Sequence, residues 1–483
     1  MNFSRRDLLK GAGGLVLGLG AGGVLDTTDG IAAEPQPGAG ELPRPHNELD
    51  PVEERGRERY YKEPARNIPV VRDVDVLVVG GGMAGVCAAA AAGSMGAKTL
   101  LVEYFGCLGG NATTGMVNNF CGYTTMGKNR IQIVRGIGGR IHERLLAQHG
   151  VKSIKSFTFN PEILKLVLDR EMAEAGVECL FYTQMVAPLI KENTIGGVIV
   201  ENKGGRQAIR ARRVIDCTGD GDVCALSGVP FELGDGKGNF QGCDMAFQLV
   251  NVGDDFDPST IAPVAAEAMK SGEYGITRPQ VIIQNIAIPG AYWVNWAGVP
   301  EIVNGTNPYD LSRATVAGRK VAYELMRFLR DRIRGMKDAD IIATAAKIGL
   351  RETRRVTGEY MLSGDEVLQG MKFKDGIGAC AWPIELVDPV KGRKFISLKD
   401  EDFYLIPYRC LIPKQVDNLL MAGRFISCTH EAQASVRVMG PAAVMGQAAG
   451  VAAARSIKEK VSPRMLDVVL LQGELRKAAA FLG

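Results

Sequence analysis

Histidine is scarce in this chain. There are four in 483 residues: His46, His142, His149 and His430. A zinc site is hard to assemble from that inventory, and no metal is expected. The ten cysteines are Cys87, Cys107, Cys121, Cys179, Cys217, Cys224, Cys243, Cys380, Cys410 and Cys428; no two form a C-x-x-C, and no C-x-x-C-H haem-attachment site appears. Several fall inside apolar patterns, where a reduced, buried thiol is expected. Long blocks of one charge are missing, and the net charge is only +3. Nucleic acid and anionic membrane surfaces are therefore poor partners. Glycine, by contrast, is abundant. Its 60 residues are about 12 % of the chain against a usual ~7 %, which suits many tight turns and close backbone approaches to a ligand.

The glycines are not spread evenly. Asp75-Val-Leu-Val-Val-Gly-Gly-Gly-Met-Ala-Gly85 reads as a short buried strand, Val76 to Val79, running into Gly80, Gly82 and Gly85. A small-residue helix follows from Val86 to Ala92, then an apolar run, Lys98 to Val102, that ends in Glu103. Strand, glycine turn, helix, strand and acid make a dinucleotide-binding unit. Gly80 permits the tight turn, Gly82 lets backbone approach a pyrophosphate, and Gly85 lets helix and strand sit close. Met83 and Ala84 lie in the same turn, where the free N–H groups of a helix start attract phosphate. Glu103 is placed to accept hydrogen bonds from ribose hydroxyls. This unit alone leaves NAD and FAD both open.

The N-terminus, Ser4-Arg5-Arg6-Asp7-Leu8-Leu9-Lys10 followed by a glycine-rich apolar run to about Leu25, resembles a twin-arginine export signal. That run is too short and glycine-rich for a membrane span of ~20 residues, so an integral membrane protein is not expected. Residues 34–72 are rich in Pro, Glu and Arg without an apolar period, and read as an extended arm that wraps either the body or a partner subunit.

Glu103 runs directly into a second glycine-rich loop, Tyr104-Phe-Gly-Cys-Leu-Gly-Gly-Asn-Ala-Thr-Thr-Gly115. Further on stands Arg213-Val-Ile-Asp-Cys-Thr-Gly-Asp-Gly-Asp222, and later a buried run, Val416 to Arg424, then Ser427-Cys-Thr-His-Glu-Ala-Gln-Ala-Ser-Val-Arg-Val-Met-Gly440 and a small-residue helix from Pro441 to Ala453. Together these segments resemble the FAD-dependent oxidoreductase family related to the fumarate reductase flavoprotein group. The resemblance covers most of residues 73–460 and implies FAD. It places Gly109, Gly110 and Asn111 along the ribityl chain, Thr113 and Thr114 toward the flavin ring, and the backbone of Met185–Val186 near the adenine. It returns Thr218, Gly219 and Asp220 to the pyrophosphate and ribityl region. It also sets Gly423, Arg424, Gly440 and Ala442 on the flavin side. With Pro441 at its first position, the last helix would aim its positive end at the ring.

The intervening sequence changes character. Met245 to Val250 and Val281 to Ile288 read as strands, and Leu311 to Arg334 as an amphipathic helix with Val316, Val321, Leu325, Phe328, Leu329 and Ile333 inward. Near Gly349-Leu-Arg-Glu-Thr-Arg-Arg-Val-Thr-Gly-Glu-Tyr360 two readings stay open: an exposed, salt-bridged strand, or guanidiniums aimed at an anionic substrate or the flavin. Arg135 to Gly139 reads as a turn before a helix from Arg140 to Gln148, whose His142 and neighbouring His149 are expected to be solvated. His430 is the histidine placed to give or take a proton beside a hydride transfer. Arg354 and Arg437 are expected to orient the substrate.

The expected fold is α/β: a Rossmann-like FAD-binding domain with an inserted α+β substrate or cap domain. The divisions are a twin-arginine signal peptide at 1–33, an arm at 34–72, FAD-binding segments at 73–226 and 403–460 around the insertion at 227–402, and a C-terminal helix at 461–483. The expected function is an exported, periplasmic oxidoreductase exchanging a hydride between flavin N5 and a small organic substrate, by C–H dehydrogenation or C=C reduction. The alternative is an FAD-containing electron-transfer subunit without its own small-molecule substrate. No clear second G-x-G-x-x-G unit for NAD(P)H and no haem or iron–sulfur motif is present, so a separate electron donor or acceptor is expected: a protein, a quinone or oxygen. A redox pair of Cys217 with Cys224 is a rival for the chemistry, and homo-oligomerisation is left open.

Overall fold

In a computed structural model of the chain, residues 53–55, 58–60, 63, 65–276, 278, 281–389 and 391–483 are described. The expected signal at 1–33 and most of the expected arm lie outside them. The chain divides into two compact units, Met1–Asn67 and Ile68–Gly483. The first contains an antiparallel pair, β1 (Glu53–Arg55) and β2 (Glu58–Tyr60), with Glu53 opposite Tyr60.

The second unit begins with β3 (Val70–Val79), α1 (Met83–Ser94) and β4 (Thr99–Val102), the predicted strand–turn–helix–strand. Next come α2 (Gly136–Ala147), α3 (Pro161–Glu174), β5 (Glu178–Leu180), β6 (Gln184–Lys191), β7 (Thr194–Asn202), β8 (Gly205–Asp216) and α4 (Asp222–Leu226). Asn160 caps α3, its side chain accepting from the Glu162 N–H at 2.9 Å, with Pro161 at the first position. Strands β3, β4, β5 and β8 run parallel, whereas β7 is antiparallel to β8 and β6 to β7. Four consecutive strand residues, Val76 to Val79, are buried on both faces, as a parallel sheet covered by helices requires.

The inserted elements are β9 (Phe231–Leu233), β10 (Asp244–Val250), α5 (Ile261–Ser271), β11 (Ile283–Asn285), β12 (Tyr292–Gly298), α6 (Pro308–Arg332) and β13 (Asp340–Thr344). An antiparallel sheet in the order β11-β12-β10-β13 carries a second core on one face, where Met245, Phe247, Leu249, Val294 and Trp296 are buried with Leu325 and Phe328 of α6. Its other face sets Ala246, Ile286, Ala291 and Trp293 against Met116 and Val117. There the Gln248 amide donates to Asn118 Oδ1 at 2.8 Å, and the Asn119 amide donates to Gln284 Oε1 at 2.8 Å.

The chain returns through β14 (Arg354–Val356), α7 (Gly364–Leu368), β15 (Gly376–Cys380), β16 (Ile384–Asp388), β17 (Gly392–Ile396), β18 (Tyr404–Pro407), β19 (Leu419–Met421), α8 (His430–Val436), α9 (Met439–Lys458) and α10 (Val468–Lys477). Strand β19 rejoins the first sheet, parallel to the last residues of β8. Residues 356–398 contribute Val356, Leu362, Ile377, Cys380 and Ile384 to the first core, while the second core draws on Cys243 to Ile348.

Several local expectations are corrected. Helix α2 starts at Gly136 rather than Arg140, because the distant Gln447 supplies an acceptor for the Ile137 N–H at 2.9 Å. His142 is buried, not solvated: its Nε2 lies 2.8 Å from the Ser156 carbonyl and its ring stacks on Phe157. In α6, Val316 is exposed and the inward stripe is Ala314, Gly318, Ala322 and Leu325, since the helix is turned to lay Gly318 on Met245. Helix α9 starts at Met439, so Pro441 is its third residue; no intrahelical bond is lost, because first-turn N–H groups have no partner within the helix. Strand β11 spans only three residues of the expected 281–288.

Candidate active site

The carboxyl ends of β3, β4, β8 and β19 lie side by side, and the segment after each strand belongs to the cradle. Gly80, at φ 100°, turns the chain out of β3 while its N–H donates to the Val102 carbonyl at 2.9 Å. A Cβ on Gly80 would lie 2.4 Å from the Cys217 carbonyl oxygen, so only glycine can pass there. Gly82 differs: nothing stands within 4 Å of where its Cβ would be. It is the N-cap of α1, with no side-chain cap and no acidic residue in the first turn formed by Met83, Ala84 and Gly85. That helix start therefore presents uncompensated N–H groups to an open space.

Glu103 closes the cradle below. Its two carboxylate oxygens accept from the Gly81 N–H at 2.6 Å and the Phe105 N–H at 2.8 Å. The second glycine loop lies against the first, the Gly109 N–H donating to the Gly81 carbonyl at 2.8 Å. Thr113 and Thr114 spend their hydroxyl protons on the loop itself, on the Leu108 and Gly110 carbonyls at 2.6 and 2.8 Å. Asn111 Oδ1 is buried without a partner. Val186 is half-buried on β6, at an irregularity in that strand's pairing with β7.

Beyond β8 the loop is tied by Asp216, which sequence reasoning left unassigned. This fully buried carboxylate accepts from the Thr218 N–H (3.0 Å), the Thr218 hydroxyl (2.8 Å) and the Cys224 N–H (2.9 Å). Burial pushes its pKa up to about 6 against these bonds. Gly219 follows at φ 85°. Asp220 then accepts from Arg424 at 2.5 Å and from the Thr353 hydroxyl at 2.7 Å. Burial alone would raise Asp220, but the Arg424 charge and the Thr353 hydroxyl hold it below the usual carboxylate range. Arg354 donates to the Asp220 carbonyl at 3.0 Å and to Asp222 at 2.7 Å, so it fastens this loop. Gly423, at φ 128°, brings the end of β19 to the start of α1, where its Cβ would lie 3.8 Å from that of Ala84.

His430 opens α8, one residue after the capping Thr429. Its Nδ1 lies 2.8 Å from Glu352 Oε1, and Glu352 is fully buried and adjacent to Thr353. Burial would lower the imidazole's pKa; the hydrogen bond and charge of Glu352 outweigh it and raise the value above the ordinary 6.5. The 349–360 segment is thus neither exposed nor a simple surface strand: Arg351, Glu352 and Arg355 are all buried.

Arg437 ends α8 and pairs with Glu385 at 3.3 Å. It belongs to a buried network. Asp244 pairs with Arg278 and Arg351 and lies 3.9 Å from Arg393, which also reaches Glu385 at 3.4 Å. Four guanidiniums thus share two carboxylates. Gly440 and Ala442 follow in α9, the Gly440 N–H donating to the Cys121 carbonyl at 2.9 Å. Cys217 and Cys224 are both free and buried, and burial raises both thiols well above their ordinary range, which disfavours thiolate chemistry.

The profile of a family described as FAD dependent oxidoreductase matches residues 75–475. The chain belongs to that family. Among solved structures, the FAD dependent oxidoreductase is similar to a geranylgeranyl bacteriochlorophyll reductase-like protein from Thermoplasma acidophilum, at 15% identity over 84% of this chain and 83% of that one, with a TM-score of 0.40. It is also similar to the OxyS anhydrotetracycline hydroxylase from Streptomyces rimosus (13%, 84% and 67%, TM-score 0.39) and to the myxobacterial chondrochloren halogenase CndH (13%, 84% and 79%, TM-score 0.39). No curated protein matches.

The cradle of this FAD dependent oxidoreductase fits its cofactor on three observations: the open space at Gly82, the uncapped start of α1, and the unpartnered Asn111 Oδ1. The α1 N–H groups would meet phosphate oxygens, Glu103 a ribose, and Gly109, Gly110, Asn111 and Asp220 the ribityl chain. Besides Asp216, two residues escaped sequence reasoning. Glu352, as partner of His430, was hidden by 78 residues of separation. Lys347, whose charge lies in range of Glu103, Asp220 and Arg424, sits in a stretch with no motif.

Proposed function

We propose that this FAD dependent oxidoreductase exchanges a hydride between flavin N5 and a C–H or activated C=C bond of a small organic substrate, with His430 as its acid/base. The observation that carries the reading is the His430–Glu352 pair, 2.8 Å apart, one residue from the Asp220 clamp. Bound FAD would supply the hydride exchange. Glu352 fixes the imidazole through Nδ1 and favours its protonated form, leaving Nε2 to hold or move the proton that accompanies the hydride. Arg437 is assigned to orient an anionic substrate group: four buried guanidiniums against two carboxylates leave positive charge for a substrate anion to offset. Arg354 acts through the Asp220–Asp222 loop as a positioning residue. A relation to the fumarate reductase flavoproteins, twin-arginine export to the periplasm, and a separate protein, quinone or oxygen as electron partner complete the proposal.

Anaerobic titration tests it. Small organic acids and alcohols are screened for bleaching of the oxidised flavin spectrum, and electron acceptors for its return. Substrate bleaching by the isolated protein is expected, with His430→Gln slowing it by a factor of about 10²–10⁴. Reduction only through a partner protein would overturn the reading in favour of an electron-transfer subunit. Full activity in His430→Gln would remove the histidine from the chemistry.

A further inference from the structure

Lys347 is a cation that the segment after β13 brings against the second glycine loop. It follows β13, and the residues around it are pinned: Ala345 and Ile348 are buried in the second core, and the Lys347 N–H donates to the Thr114 carbonyl at 3.3 Å. Its side chain therefore leaves the inserted lobe from a fixed base. The ammonium lies 5.8 Å from the centre of the Phe105 ring, two residues after Glu103.

Its charged surroundings are unusual. Glu103, Asp220 and Arg424 are the charges it feels. Glu103 is engaged by two backbone N–H groups, and Asp220 by Arg424 and Thr353. Among the described residues no carboxylate forms an ion pair with Lys347, while Arg424 repels it; burial and that repulsion push its pKa down. Two cations thus border the same cradle as the uncapped start of α1. A cation held in a half-buried place without an anion lowers stability unless a ligand brings the missing charge.

We propose that Lys347, carried by the inserted lobe, pairs with the diphosphate of bound FAD, so that cofactor loading clamps the lobe to the glycine unit. The chemistry recognised is a dianionic diphosphate, met by the α1 N–H groups, Arg424 and Lys347 from three parts of the chain. The proposal is independent of the substrate and of His430.

The test uses the full-length protein stripped of flavin and titrated with FAD, ADP and riboflavin by calorimetry and flavin fluorescence. Lys347→Gln is expected to weaken FAD and ADP by about tenfold to a hundredfold, the usual effect of losing a charge-assisted hydrogen bond, and to leave riboflavin unchanged. Lys347→Arg is expected to retain most of the FAD affinity. Lys347→Met keeps the aliphatic stem beside Phe105 and removes only the ammonium, so it decides the matter if Lys347→Gln does not fold by near-ultraviolet circular dichroism. FAD and ADP binding unchanged in both variants would overturn the proposal. So would riboflavin weakened as much as ADP, which would make Lys347 a structural residue of the lobe.

Discussion

Asp216 is the residue on which the loop after β8 depends, and it is acceptor-only toward three donors. Asp216→Asn turns a donor toward a donor; a loss of about 1–3 kcal/mol is expected in urea unfolding, with weaker FAD binding. Because its native pKa is raised to about 6 from 3.8, the folded chain binds this proton more tightly than the unfolded one. Its contribution to stability thus falls as pH rises from about 3.8 to about 6 and is constant beyond. His430 is raised in the same direction from 6.5. Its contribution is fully present below that value and is lost as pH rises through the folded value. If the imidazolium is the working form, Glu352→Gln should move the alkaline limb of the rate profile to lower pH, read from kcat at a series of pH values. The motif containing Asp216 was plain in the sequence, as were the glycines and Glu103, because each lies within one local strand–turn pattern. Glu352 and Lys347 were not, because their meaning comes from contacts that cross from one part of the chain to another.

At the level of elements, α1 and α9 are packed backbone to backbone. A Cβ on Gly446 would lie 2.0 Å from the Ala84 carbonyl oxygen, and one on Gly450 2.1 Å from that of Ala88. Since backbone cannot swing aside, Gly446→Val should force the helices apart and cost at least about 1–3 kcal/mol. FAD affinity should fall with it, because Ala84 is in the cofactor turn. Gly473, inside α10 with open space around its Cβ position, supplies the contrast: Gly473→Ala should stabilise by about 0.5–1 kcal/mol. Thermal melts of both variants check the pair. Small-residue runs announced both tightly packed helices in the sequence. The true starts of α2 and α9 were less legible, since one uses a side chain 310 residues away and the other admits proline at its third position.

Across the whole second unit, the buried Asp244 joins Arg278, Arg351 and Arg393, which come from both sides of the lobe boundary. Burial alone would raise its carboxyl, but the arginines hold it at about 2. Its contribution is therefore present above about 3.8 and lost as pH falls toward 2. Asp244→Asn leaves three guanidiniums with one carboxylate fewer and should cost about 3–5 kcal/mol in denaturant unfolding. The residues of the second core, Cys243 to Ile348, fall in a stretch where the sequence pattern changes after Ser227. That residues 356–398 pack in the first core was not visible, since short strands with little alternation do not declare which core they join. The parallel sheet has one more consequence, and it concerns time. β19 ends at Met421 and lies beside β8, which in turn lies beside β3 ending at Val79. At about 5–20 residues per second of synthesis, the ribosome needs roughly 17–68 s to travel from one strand to the other. For that interval the nascent glycine turn has no Gly423, no Arg424 and no α9 against it. The cofactor can be captured only after nearly the whole chain has emerged, so a prematurely terminated product should leave the ribosome colourless.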